Sequence, residues 1–183
     1  MGPIRGKVCA ICGERVFTPH AEAQAVCGDC GVAAPPFVRA IAYGSYDGGL
    51  RELIHLLKYG RVRPAARVLG RMLAEAVQGF AGEFASAVVV PVPLHSSKLR
   101  LGARVLNRRR ATESQTGLSD HQRRQNVRGA FVVTSPEEIA GEDVLLVDDV
   151  FTTGATVAEC TRVLRPRGRG PRFCGDGGEG PRG

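Results

Sequence analysis

Residues 144–156 read VLLVDDVFTTGAT, and no other stretch of this 183-residue chain limits its fold so tightly. Val144 to Val147 is a continuous apolar run, the pattern of a strand buried on both faces of a parallel sheet. Asp148 and Asp149 stand at its carboxyl end, and Thr152-Thr153-Gly154-Ala155-Thr156 then opens a helix with Val157, Cys160 and Leu164 on one face. Ligands of open α/β sheets bind beyond the carboxyl ends of the strands. Backbone N–H groups of Thr152 to Thr156, with the hydroxyls and the helix N-terminus, can wrap a phosphate, and Gly154 lets the backbone approach closely. Adjacent carboxylates do not bind the phosphate itself; they suit ribose hydroxyls or a Mg²⁺ ion one step away. The plainer alternative is a buried strand followed by an acidic capping pair. Capping alone does not explain two Asp residues placed before Thr-Thr-Gly.

A second pattern lies at the front. Cys9-x2-Cys12 and Cys27-x2-Cys30 are two matched pairs separated by fourteen residues. Two such turns let four thiolates meet one ion tetrahedrally, with Gly13, Gly28 and Gly31 easing the backbone. Structural Zn²⁺ is the expected ligand. Disulfides suit a reducing cytosol poorly, and a redox pair would need only one of the two motifs. Four cysteines leave no open coordination position, so the metal is structural and not catalytic. A module of this size cannot bury a useful core, and the metal supplies its folding free energy. Cys160 reads as a core residue, whereas Cys174 falls in an irregular tail.

Pro35-Pro36 ends this zinc-ribbon module (1–34). The body, 37–164, alternates apolar strand-like runs with amphipathic helices, which predicts an α/β parallel sheet flanked by helices. Phe37 to Tyr46 has strand composition. Leu50, Leu53, Ile54 and Leu57 predict a helix capped by Asp47 and stopped at Tyr59-Gly60. Pro64 opens a second helix expected to turn Leu69, Leu73, Ala76 and Val77 inward. Ala87 to Val92 and Ala130 to Val133 complete the predicted strands.

Charge is concentrated. The chain carries +7 overall, and between Ser97 and Arg128 nine Lys and Arg residues face only Glu113 and Asp120. Such a field draws phosphate, on nucleic acid or on a small polyphosphate. Aromatics make up 5% with no Trp, which argues against the base-stacking platforms of single-strand binders. No apolar run approaches the ~20 residues of a membrane span, and the N-terminus lacks the apolar region of a signal peptide. A cytoplasmic location is expected.

The 144–156 run is similar to the PRPP-binding signature of type I phosphoribosyltransferases. Taken whole, from Cys9 to about Leu164, the chain resembles the ComF/GntX-like family, in which a zinc ribbon precedes a type I phosphoribosyltransferase-like domain. Its further marks are Leu57-Lys58-Tyr59, Pro91-Val92-Pro93-Leu94-His95, and the spaced set Arg110, Thr112, Gln115, Leu118, Arg123 and Asn126. The resemblance implies that Asp148 and Asp149 face the ribose hydroxyls, and that Thr152, Thr153, Gly154, Ala155 and Thr156 hold the 5′-phosphate. It places Pro91 to His95 near the pyrophosphate, with Arg110, Gln115 and Arg123 in a covering flap. Mg²⁺ would accompany PRPP, and the setting would be DNA uptake or nucleotide metabolism, with nucleic acid or a competence-machinery protein as a further partner.

Two departures from the family pattern bear on enzymatic activity. The Arg-Gly-Phe-Asn-Gln segment and helix expected after the Pro-Val-Pro loop are missing, since Lys98-Leu99-Arg100 runs straight into Leu101-Gly102-Ala103. After Leu164, where a Val-rich strand is expected, residues 165–183 are rich in Gly, Pro and Arg, a tail expected to lack order and to add no central strand. The alternative reading is therefore a non-catalytic protein that uses the zinc ribbon and the basic stretch to bind nucleic acid or a partner, with the phosphoribosyltransferase fold as scaffold. Lys58 reads as a cation at a helix C-terminus, with a phosphate role suggested by the resemblance alone. Arg108 to Arg110 suit nucleic acid or a phosphate cover equally.

Overall fold

The computed structural model describes residues 7–16, 25–60, 62–84, 86–93, 105–112, 117–166 and 170–172. Its helices are α1 (Gly28–Val32), α2 (Gly48–Lys58), α3 (Arg63–Gln78), α4 (Ala81–Phe84), α5 (Asp120–Val127) and α6 (Ala155–Leu164). Its strands are β1 (Val88–Pro91), β2 (Leu106–Arg108), β3 (Phe131–Val133), β4 (Asp143–Val147) and β5 (Gly170–Arg172). The class is mixed α/β, as the alternating pattern implies, with a small parallel sheet flanked by helices behind the cysteine module.

Strands β1, β4 and β5 form a parallel sheet in that order, with Val88 opposite Val144 and Pro91 opposite Val147. Strands β2 and β3 make a separate antiparallel ribbon, Leu106 opposite Val133. Inward residues of the sheet (Val90, Val144, Leu146) share one core with Leu106 and Phe131 of the ribbon and Val157, Cys160 and Leu164 of α6. Burying each such side chain contributes on the order of 2 kcal/mol.

The apolar runs suggest strands buried on both faces, and here the structure differs. Val90 is fully buried while its neighbour Val89 is 58% exposed, so β1 buries one face only. Phe37 to Tyr46 forms no strand. Phe37 and Ala40 enter the core from irregular backbone, and the Ala40 amide donates to the Ile11 carbonyl at 2.6 Å instead of to a sheet neighbour. Helix α2 begins after Asp47 and ends at Tyr59, as the capping pattern implies, although the Asp47 side chain makes no capping bond. Pro64 lies in the first turn of α3, but Ala65 is the one buried residue there and Leu73 is 36% exposed. The physical reason is position: α3 packs mainly on α2, at the margin of the fold. Gly170–Arg172, within the tail expected to lack order, pairs with β4. It lies at the sheet's edge among the described residues, where a proline is tolerated. Cys174 lies outside the described residues.

Candidate functional site

Two local constructions carry the chemistry. In the first, the Sγ atoms of Cys9, Cys12, Cys27 and Cys30 all lie within 4.8 Å of one another. Cys12 and Cys27 are 3.6 Å apart, close to the ~3.8 Å edge of a tetrahedron with Zn–S bonds of about 2.3 Å. The backbone builds the turns. The Gly13 amide closes onto the Cys9 carbonyl at 3.0 Å, with Gly13 at φ +72°, and a Cβ there would sit 2.8 Å from the Ala40 carbonyl oxygen. Cys27 stands at the N-cap of α1, and its amide donates to Cys9 Sγ at 3.3 Å.

The thiols fit a dication. Burial pushes Cys9 up, but amides of Cys12, Cys27 and Ile11 outweigh it and bring the thiol down to about 6. Burial and the neighbouring sulfurs push Cys12 up to about 11, and Cys30 well above its ordinary value. One thiolate is stabilised and the next are opposed by crowding. A soft cation at the centre relieves that opposition, so the donor set suits structural zinc.

The second construction lies at the carboxyl end of β4. Asp148 Oδ1 accepts the Asp149 amide at 2.9 Å, and Asp149 Oδ2 receives Lys58 Nζ from the end of α2 at 2.8 Å. Burial, then the charge of Asp149, pushes the Asp148 carboxyl up to about 7; Lys58 acts in the opposite direction. The loop beyond turns at Gly154, which is buried at φ +68° and heads α6. A Cβ there would lie 2.9 Å from the Phe151 ring, which in turn packs edge-on against Phe37 at 6.0 Å. The first amides of α6 have no intrahelical partner by geometry. The Thr153 hydroxyl is buried without a hydrogen-bond partner among the described residues. A buried, orphaned donor beside a helix N-terminus matches an anion with several acceptor oxygens.

Pro91, Val92 and Pro93 reach the same end of the sheet. Pro91 lies opposite Val147, and the Val92 amide donates to the Val147 carbonyl at 2.8 Å. Leu94, His95 and Gln115 lie outside the described residues. Arg110 is occupied locally: its guanidinium donates to the carbonyls of Asn126 (2.6 Å) and Arg128 (3.1 Å), closing the C-terminal end of α5. Arg123 sits on α5, 3.9 Å from Asp120. Arg109 donates to the Gly129 carbonyl at 3.0 Å, while Arg108 bonds the Thr112 hydroxyl and covers the Phe131 ring at 5.4 Å. The triplet that suits phosphate or nucleic acid in sequence is thus engaged in holding the ribbon and α5.

One buried acid carries no mark in the sequence reading, and one marked lysine has a partner the sequence does not show. Glu159, buried on α6, accepts the Gly129 amide at 2.7 Å and Arg162 at 2.9 Å, tying the turn before β3 to the helix. Its signal in the sequence is an acid directly beside Cys160, on a helix that turns Val157, Cys160 and Leu164 inward. Lys58 is marked in the sequence as a helix-end cation and, through the family resemblance, as a phosphate contact; nothing local announces its carboxylate partner.

No protein-family model and no solved structure matches the chain. It is 31% identical to the DNA utilization protein YhgH of Salmonella typhimurium over 188 residues, covering 90% of this chain and 80% of that protein. The namesake from Escherichia coli O6:H1 is 28% identical, covering 88% and 85%. Competence protein F of Haemophilus influenzae is 29% identical, covering 87% and 79%. With the cysteine module in front and an α/β body behind it, the chain belongs to the ComF/GntX-like family of these proteins.

Proposed function

We propose that the chain binds PRPP or another ribose 5-phosphate ligand at the end of β4, in the service of DNA utilization. The observation that carries the reading is the order of groups there: twin carboxylates, then a buried and orphaned Thr153 hydroxyl, then Gly154 in a left-handed turn heading α6. Asp148 and Asp149 would accept from the ribose hydroxyls. Thr152 to Thr156 would hold the 5′-phosphate, and Pro91 to Pro93 would border the pyrophosphate. Mg²⁺ would travel with the pyrophosphate and neutralise it as it leaves. In a transferase, a nucleophile would attack C1 of the ribose as the C1–oxygen bond to pyrophosphate breaks, and positioning would supply most of the rate.

Isothermal titration of PRPP into zinc-loaded protein tests the reading. Heat of binding is expected with Mg²⁺ and is expected to vanish in Asp148→Asn/Asp149→Asn. Absence of binding to folded wild-type protein overturns it. The relatives' names favour a second reading, direct DNA binding through the zinc module and the basic stretch. That reading expects binding that weakens steeply with salt and survives both Asp substitutions.

A further inference from the structure

A carboxylate pair beside a phosphate loop invites a divalent cation, yet at Asp149 the cationic position is already filled from within the chain. Lys58 leaves the last turn of α2 and sets its ammonium 2.8 Å from Asp149 Oδ2, with only 28% of the Lys58 and 19% of the Asp149 side chain exposed. The contact joins elements far apart in sequence, and it is the one ion pair among the described residues that reaches the acids following β4. The remaining charged or titratable groups felt by Asp148 are Asp149 itself, Cys160 of α6 and Arg108 of β2. Arg108 is held by Thr112 and Phe131, so Lys58 is the cation directly bonded to the pair.

We infer that Lys58 is a positioning residue that takes the place of a metal ion at Asp149, so that the ribose end of the site works without Mg²⁺. The inference rests on the phosphoribosyl reading above. An ammonium held by a helix fixes one carboxylate oxygen and offsets the charge of the pair, leaving the other oxygens to accept from sugar hydroxyls. Mg²⁺ then matters only to ligands that carry a pyrophosphate. A cation delivered by the fold also links ligand binding to the placement of α2.

The probe is ribose 5-phosphate, which has the sugar and the 5′-phosphate but no pyrophosphate. Titrations use zinc-loaded protein in buffer freed of magnesium over a chelating resin, with zinc counted per chain afterwards. Wild type is expected to bind equally well, within about twofold, with and without Mg²⁺. Lys58→Met should weaken binding roughly tenfold, as loss of a charge-assisted contact does. Lys58→Arg should restore most of it, and Lys58→Met should have little further effect in an Asp149→Asn background. In ligand-free protein, the ¹³C carboxyl resonance of Asp149 should move in Lys58→Met and much less in Lys58→Arg. Wild-type affinity that collapses without Mg²⁺ overturns the inference alone, as does an Asp149 resonance indifferent to Lys58→Met. Wild-type protein that binds no ribose 5-phosphate overturns the phosphoribosyl reading and this inference with it.

Discussion

The cysteine module and the loop after β4 both gather polar groups at one point, and they are held there by opposite means. Around the four thiols the chain has almost no core. Cys9 and Cys30 are the buried residues of the described module, and Val32 is 91% exposed. The loop is carried between β4, with Val144 and Leu146 buried, and α6, with Val157, Cys160 and Leu164 buried. One cluster has the donor set for an ion that would order it; the other is built on a packed core. This difference predicts which insult each will survive.

Metal removal should have the largest effect and act on one side only. Stripping zinc with a strong chelator, or making Cys9→Ser with Cys30→Ser, forfeits binding free energy on the order of 10 kcal/mol in the module. Hydrogen exchange should show amides of the module losing protection while α6 keeps its own. The link to watch is the bond from the Ala40 amide to the Ile11 carbonyl, where the module meets the core. If α6 loses protection together with the module, the two regions are one cooperative unit and the contrast fails.

What could be read in advance divides along the same line. Each Cys-x2-Cys pair and the VLLVDDVFTTGAT run are short local patterns, and the two pairs repeat one spacing, so spacing alone shows which atoms can meet. Long-range partners leave no such trace. Lys58 and Asp149 meet because α2 ends beside β4, and neither residue's neighbours reveal it. The antiparallel partnership of β2 with β3 is hidden because Leu106 to Arg108 sits inside a basic stretch whose pattern is set by its Lys and Arg residues. Phe37 to Tyr46 misled for a different reason. Phe37 and Ala40 do reach the core, but the Ala40 amide goes to the cysteine module, and strand composition says nothing about where a hydrogen bond goes. Leu73 shows the limit of periodicity, which marks a helix face without saying whether anything covers it.

The reverse insult should fall on the body. Leu164 is fully buried at the end of α6, within the cluster that holds β4. Leu164→Ala should cost about 2–5 kcal/mol through lost burial and the cavity left behind. Thermal unfolding should show a lower midpoint, while zinc content stays at one ion per chain. Zinc lost in proportion to stability would mean that the module depends on the body for its order, and the comparison would need to be redrawn.

The smallest effect concerns the acids themselves, and its sign separates a binding group from a structural one. The folded chain holds the Asp148 carboxyl at about 7 against an ordinary 3.8, through burial first and the charge of Asp149 second. Between those values the folded state keeps a proton that the unfolded state releases, so this group subtracts stability as pH rises through the window. Lys58, bonded to Asp149, and Arg108, nearby on β2, reduce that cost without removing it. Asp148→Asn carries no charge to strain. It should melt with wild type near pH 4 and above it at pH 8. The same change should abolish ribose 5-phosphate binding. A residue whose removal stabilises the fold and destroys binding is retained for the ligand. Equal melting at both pH values would mean that Asp148 ionises freely in the folded chain, and the carboxylates would then be no more strained than the thiols a metal relieves.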